Sequence, residues 1–336
     1  MSKVALITGA NGSVGEGIAI KLLEQSVDIK LILACRSMAN GDRLKKSLLN
    51  QFPTLIDLNV FILQLDLSDS QKVFNSCQIV LSKFKRLDYL FLNAGILSRD
   101  GVDIMLGFKN LLTRPSYVAK TGGDIIIQPV GEITAEGFGK SFMCNFFGHF
   151  IMVMHLQPLL SATNDSRIIW CSSTTACPEF FDFDDIQCIK GTHPYESSKR
   201  LCELMSIQLQ NYLKKSRTCS LITSPGVVYS GISKGELHGF LIMIAFLLMR
   251  LFGCSGINIS GTNSATSAVW IANQENPENL NPQTMYHSDI TIFGKTFVRE
   301  IPLMVSESDR ELSIKTFTDV LNMYHSVHQR WNNNLQ

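Results

Sequence analysis

Tyr195 and Lys199 are the first pair in this sequence whose spacing suggests chemistry. The chain holds seven tyrosines, and only Tyr195 is followed four positions later by a lysine. Four residues along a helix place two side chains on one face. A free phenol, with a pKa of about 10, is a sluggish acid or base near neutrality. A neighbouring ammonium favours the phenolate, so the pair predicts a Tyr195 pKa lowered towards a useful range. The same pair, taken alone, also describes an exposed helix surface.

Other polar groups sit just past apolar runs. Ser172-Ser173 follows Ile168–Cys171, Asn93-Ala94-Gly95 follows Tyr89–Leu92, and Pro225-Gly226 follows Ser220–Thr223. Asn145 lies within a helical stretch, Phe142–Phe150. Singly these read as a helix cap, a turn, a breaker and a core-facing amide. Together, in this order, they mark one sheet edge, and ligands of open α/β sheets bind at the carboxyl ends of strands.

The elements that must position them alternate regularly. Val4–Thr8, Leu31–Ala34 and Val60–Leu65 join the three runs above as buried strands, with helical stretches such as Glu16–Glu24 and Gly41–Gln51 between them. That alternation predicts an α/β, doubly wound parallel sheet, a Rossmann fold with helices on both faces. We expect a single domain over residues 1–300 and a helical tail over 301–336. Insertions are expected near 97–133, 174–194 and 230–260. In the tail, Phe317, Val320, Leu321 and Tyr324 recur at helical spacing, as in a helix packed on the body.

Thr8-Gly9-Ala10-Asn11-Gly12-Ser13-Val14-Gly15 falls where the first strand turns into the first helix. Glycines there allow a tight turn and let backbone N–H groups approach a pyrophosphate at a helix N-terminus. Arg36 ends the second strand, where a cation suits the 2′-phosphate of NADP. A charge-assisted hydrogen bond there implies a preference for NADPH of about ten- to a hundredfold. Asp66, closing the third strand, either accepts from the adenine amino group or caps the next helix.

Composition narrows the class. The chain of 336 residues is 45% hydrophobic and 18% charged, with net charge +1. It can bury a large core, and it has no basic block to suggest nucleic acid. Its nine cysteines include no CxxC pair and fall in apolar stretches. That suits reduced thiols facing the cytosol, with no disulfide framework and no metal site. The first strand begins almost at once, so no signal peptide is expected. The apolar run Gly239–Met249 is shorter than the about 20 residues that span a bilayer. Gly239 to Phe252 is expected to lie on a membrane surface, or else to be a core helix.

TGANGSVG, NAG, Asn145, Ser173, Tyr195–Lys199 and the Pro-Gly turn resemble the short-chain dehydrogenase/reductase family over roughly Lys3 to Ser230. The resemblance implies that Tyr195 protonates a carbonyl oxygen and Ser173 hydrogen-bonds it. It implies that Lys199 holds ribose and tunes Tyr195, and that Asn145 supports a water-linked proton relay. The implied cofactor contacts are Gly9, Asn11, Gly12, Ser13, Val14, Gly15, Arg36, Asp66, Asn93, Ala94, Gly95, Tyr195, Lys199, Pro225, Gly226, Val228 and Ser230. Two departures stand out. Ser13 occupies the family's glycine position, with Gly12 one place early, and the gap from Ser173 to Tyr195 is long. Asp182 fits the common spacing, but an ionised carboxylate cannot donate the same hydrogen bond.

LACRSMAN, LDYLFLNAGI, ITAEGF, NFFGHF and PYESSK further resemble the 3-ketosteroid reductases of sterol synthesis, a group that includes the type-seven 17β-hydroxysteroid dehydrogenases. That resemblance implies NADPH-dependent reduction of a sterol 3-ketone after C4 demethylation, on the cytosolic face of the endoplasmic reticulum or on lipid droplets. It also implies C4-demethylation enzymes as neighbours. Residue chemistry alone gives a reductase of some apolar carbonyl compound. The rivals are a retinaldehyde or fatty-carbonyl reductase, an idle scaffold in a membrane complex, and a lipid-binding module.

Overall fold

In the computed structural model the described residues are 2–114, 117–118, 125–228, 255–258 and 260–334. Ser230 and the Gly239–Phe252 run lie outside them, as do parts of the 97–133 and 230–260 insertions. Six strands follow the expected runs: β1 Val4–Thr8, β2 Lys30–Cys35, β3 Val60–Gln64, β4 Tyr89–Leu92, β7 Arg167–Cys171 and β8 Cys219–Ser224. Two short pairs lie beside them. β5 Gly101–Val102 pairs antiparallel with β6 Ile126–Ile127, and β9 Val227–Val228 pairs parallel with β10 Ile257–Asn258.

Two more strands complete the main sheet and were not foreseen, β11 Thr284–Ile290 and β12 Thr296–Pro302. The eight-stranded order is β12-β11-β8-β7-β4-β1-β2-β3, with only β12 antiparallel to its neighbour. β11 escaped an apolar-run reading because its buried centre is His287-Ser288-Asp289. Ser288 and Asp289 find partners on neighbouring elements. Ser288 Oγ accepts from Ser267 N at 2.9 Å, and Asp289 pairs with Arg299 of β12 at 2.6 Å.

The sheet is covered on both faces because successive side chains of a strand point to opposite sides. Val4 and Leu6 join one apolar cluster, and Ala5 and Ile7 the other. Helices Ser13–Gln25 and Met38–Gln51 bury Ile18, Leu22, Leu44 and Leu48 in the second cluster. Helices Ser70–Lys83 and Pro194–Tyr212 pack on the first, as does the C-terminal helix Glu307–Asn333. That last helix is anchored by Trp331, which stacks on Phe74 at 5.1 Å and donates from Nε1 to Asn75 Oδ1 at 2.9 Å.

The strand order reverses between β1 and β4. Crevices for ligands open at such a switch point. The glycine loop and Asn93 meet there: Asn93 Nδ2 donates to Thr8 O at 3.0 Å, and the Asn93 and Ala94 N–H groups donate to Thr8 Oγ1 at 2.9 and 3.0 Å.

Candidate active site

The helix Pro194–Tyr212 carries Tyr195 and Lys199 one turn apart, and Lys199 Nζ stands 5.7 Å from the Tyr195 ring centroid. Lys199 is buried, and its ammonium donates to Cys171 O, the last carbonyl of β7, at 2.7 Å. Ser173 follows two residues on, and its hydroxyl pulls the Tyr195 pKa down. Ser173 Oγ also accepts from Thr175 N at 3.2 Å and contacts Thr175 Oγ1 at 2.9 Å.

Asn145 comes from a different element. The helical stretch around it is not regular: residues Met143–Phe147 form a π-turn between two α-helical pieces. Such turns bulge a helix locally and often accompany sites. The Asn145 amide accepts from Ile96 N at 2.7 Å and donates to Ile96 O at 3.0 Å and Ser198 Oγ at 2.9 Å. Gly95 lies between Asn145 and Lys199: a Cβ added to it would sit 3.3 Å from Asn145 Oδ1 and 3.4 Å from Lys199 Nζ. Tyr195, Lys199, Ser173, Asn145 and Gly95 therefore share one corner at the carboxyl edge of the sheet.

A small interior cavity lies beside that corner, lined by Val14, Ile18, Phe91, Asn93, Ile169 and Cys171 among others. Gly9 adopts φ +62°, and a Cβ on Gly15 would lie 2.4 Å from Gly9 O, so both positions need glycine. Gly12 is the N-cap of helix Ser13–Gln25, with Asn11 just before it and Val14 just inside. Ser13 is already helical at N1, which is why a serine is accommodated where a glycine was expected. These residues fit a dinucleotide phosphate laid on a helix N-terminus. Arg36 is exposed just past β2. Gly226 turns with φ +73° after Pro225, and Val228 continues into β9.

A family model described as short chain dehydrogenase matches residues 3–238. The chain belongs to the short-chain dehydrogenase/reductase family. It is an oxidoreductase that uses a nicotinamide cofactor. Among curated relatives, it is 34% identical over 324 residues to "3-keto-steroid reductase/17-beta-hydroxysteroid dehydrogenase 7" of Rattus norvegicus, covering 95% of this chain and 96% of that protein. It is 28% identical over 346 residues to "3-keto-steroid reductase erg27" of Schizosaccharomyces pombe, covering 99% and 98%. Its fold is similar to that of a 3-ketoacyl-(acyl-carrier-protein) reductase from Brucella melitensis complexed with NADH, with TM-score 0.56 and 19% identity over 83% of this chain and 94% of that one.

Within this short-chain dehydrogenase three features correct or extend the sequence reading. First, burial pushes the Tyr195 phenol above its ordinary value. The Lys199 ammonium and the Ser173 hydroxyl pull it down without overcoming the loss of solvent. The expected lowering is therefore not observed, and the phenol stays protonated at neutral pH. Second, Asp66 does not cap the following helix. Asp69 does, accepting from Lys72 N at 3.1 Å, while Asp66 Oδ1 accepts from Ser68 N at 3.1 Å and Ser68 Oγ at 2.7 Å. Burial raises the Asp66 pKa, but these bonds and Lys72 outweigh it and hold the carboxyl low.

Third, supporting residues emerge that the sequence reading passed over. His149 is buried, and burial pushes its pKa down to about 3, so it is neutral. Its Nδ1–H donates to Asn145 O at 3.1 Å, and its Nε2 accepts from Thr8 Oγ1 at 3.0 Å. Ser198, three residues after Tyr195, receives the Asn145 amide. Both could have been found as i+3 and i+4 neighbours of the flagged residues. Glu203, buried one turn past Lys199, bonds Ser172 Oγ at 2.8 Å and Arg200 at 3.1 Å. Burial pushes its carboxyl up to about 7 against the pull of Arg200 and Ser172.

A raised phenol has a kinetic consequence. With Tyr195 proposed as the proton donor, ketone reduction should run level through neutrality and fall only as pH rises past the ordinary phenol value of about 10. Alcohol oxidation needs the phenolate and should gain over the same interval. A reduction kcat that already decays between about pH 6 and 8 would contradict the raised phenol.

Proposed function

We propose that this enzyme reduces the 3-ketone of a sterol to the 3-hydroxyl with NADPH. The observation that carries the reading is the near full-length similarity to proteins named 3-keto-steroid reductases, over the same residues that build the Tyr195–Ser173 corner. A sterol is almost wholly apolar with one polar handle, and it suits a site with hydroxyl donors at one tip and apolar walls. Residues 97–133 and 174–194 supply wall candidates on this reading. A 17-ketosteroid is a second substrate of the same type.

The nicotinamide supplies a hydride for the carbonyl carbon. Tyr195 gives its proton to the carbonyl oxygen as that carbon accepts the hydride. Ser173 Oγ accepts from the Thr175 N–H, which leaves its own proton to hydrogen-bond the same oxygen. Lys199, fixed by Cys171 O, holds positive charge next to the phenol and reaches ribose hydroxyls. Asn145 anchors the Ile96 end of the relay to the catalytic helix. Arg36 receives the 2′-phosphate, and the glycine loop with Asp66, Asn93, Ala94, Gly95, Pro225, Gly226, Val228 and Ser230 completes the cofactor cradle. Residues 1–300 act as one reductase unit, with 301–336 as its helical tail.

We also propose work at a membrane surface, on the cytosolic face of the endoplasmic reticulum or on a lipid droplet, beside the C4-demethylating enzymes that would supply its substrate. Eighteen large apolar side chains are well exposed among the described residues, and seven of them fall in the 97–133 insertion: Leu97, Val102, Met105, Leu112, Ile127, Val130 and Ile133. Exposed apolar side chains concentrated in one insertion favour contact with lipid over open water. No helix among the described residues is long and apolar enough to cross a membrane.

Three measurements test these statements. In a comparison of kcat/KM, a 4-methyl sterol 3-ketone should exceed a C18 17-ketosteroid, and both should exceed retinaldehyde; retinaldehyde ahead by about tenfold would overturn the substrate assignment. Arg36→Ala should weaken NADPH by about ten- to a hundredfold and NADH little; equal weakening of both would remove Arg36 from the 2′-phosphate. Met105→Asp with Leu112→Asp should abolish co-sedimentation with phosphatidylcholine vesicles while detergent-dispersed ketone is still reduced. Undiminished vesicle binding would show that the patch does not meet lipid.

A further inference from the structure

The catalytic helix starts without a cap of its own. His193 at its N-cap makes no side-chain cap hydrogen bond, and Pro194 at N1 has no N–H to offer. The next amide is that of Tyr195, one of the first-turn donors that no helix satisfies internally. Its partner comes from 67 residues upstream: Gln128 Oε1 accepts the Tyr195 N–H at 3.0 Å. The other end of the same side chain, Nε2, donates to Glu196 Oε2 at 2.6 Å. Gln128 is 7% exposed and Glu196 8%, so both bonds are shielded from water. Only one orientation of the Gln128 amide works. Flipped, it would set donor against donor at Tyr195 and acceptor against acceptor at Glu196.

Gln128 directly follows β6, and β6 closes the antiparallel β5–β6 pair at the base of the 97–133 insertion. The insertion is thus fastened to the backbone of the proton donor through one buried amide. We infer that Gln128 is a positioning residue for proton transfer, tying the placement of the Tyr195 phenol to the docking of the β5–β6 insertion. The inference rests on Tyr195 being the acid. Its physical basis is that a proton donor must come within hydrogen-bond reach of the ketone oxygen, and a shift of about 1 Å costs up to a hundredfold in rate.

The test measures kcat, KM and NADPH affinity with a detergent-dispersed sterol 3-ketone. Gln128→Ala should lower kcat roughly ten- to a hundredfold, with both KM values and the NADPH Kd held within about threefold. Gln128→Glu sets two carboxylates face to face and should also be slow. Adding Glu196→Gln to it exchanges donor and acceptor between the two positions and still leaves an acceptor for the Tyr195 N–H. That pair should return kcat to within about threefold of wild type. A residue that only shaped the substrate wall would raise KM and leave kcat, and the exchange would not restore a rate. Unchanged kcat in Gln128→Ala, an effect on KM alone, or no rescue by the exchanged pair would overturn the inference. Should Gln128→Ala fail to fold, the exchanged pair against Gln128→Glu decides the matter. Tyr195→Phe in the same assay separates the two levels of the argument. If it turns over ketone, the acid assignment fails; if it is inactive while Gln128→Ala is normal, only the positioning role fails.

Discussion

Asn145 sits 1% exposed at the junction of β4, the π-turn and the catalytic helix, and its amide makes three hydrogen bonds there. A buried amide left without partners would cost a few kcal/mol at most sites. Satisfying it requires Ile96 and Ser198 to be where they are, which holds the end of β4 against the helix that carries Tyr195 and Lys199. The carbonyl of the same residue accepts from His149, and His149 in turn accepts from Thr8 at the head of the glycine loop. One residue thus links the Tyr195–Lys199 corner to the glycine loop. The π-turn is what aims it, because an unbroken α-helix would rotate the residues on either side out of this arrangement.

A second buried chain of polar groups ties the site to the far end of the sequence. Ser172 bonds Glu203, Glu203 pairs with Arg200, and Arg200 reaches Met304 O and Asp309 Oδ2 at the start of the C-terminal helix. Arg200 and Glu203 are each 2% exposed. Buried ion pairs contribute little net stability, since desolvation offsets attraction, but losing one partner is costly. The chain therefore specifies where the C-terminal helix begins more than it strengthens the fold. It also engages Ser172, the serine beside Ser173, in structure through Glu203.

Much of this was legible in order along the chain. β1 and β4 were read to the residue, because an apolar run bounded by turn residues has few other uses in a doubly wound sheet. The glycine loop was legible for the same reason: Gly9 needs a positive φ and Gly15 a bare Cα, both local demands. Pairs at i+4, such as Tyr195 and Lys199, are local as well. β11 was not legible, since its buried Ser288 and Asp289 are tolerated through partners on the helix Thr266–Ala272 and on β12, while its buried His287 faces Asp289 of the same strand. Nor was the π-turn, whose residues Met143–Phe147 carry no helix-breaking signal.

The sequence by itself determined the parallel sheet, the loop that can take a pyrophosphate and the identity of the residues at the strand ends, because each follows from periodicity or spacing within a dozen positions. The tertiary structure decided how those residues behave. Whether the phenol of Tyr195 rises or falls depends on how much water the surrounding fold removes, and burial outweighs the nearby ammonium. Which group completes the first turn of the catalytic helix depends on an insertion 67 residues away. Solvation and long-range contacts are sums over the whole packed chain, and no window of sequence contains them.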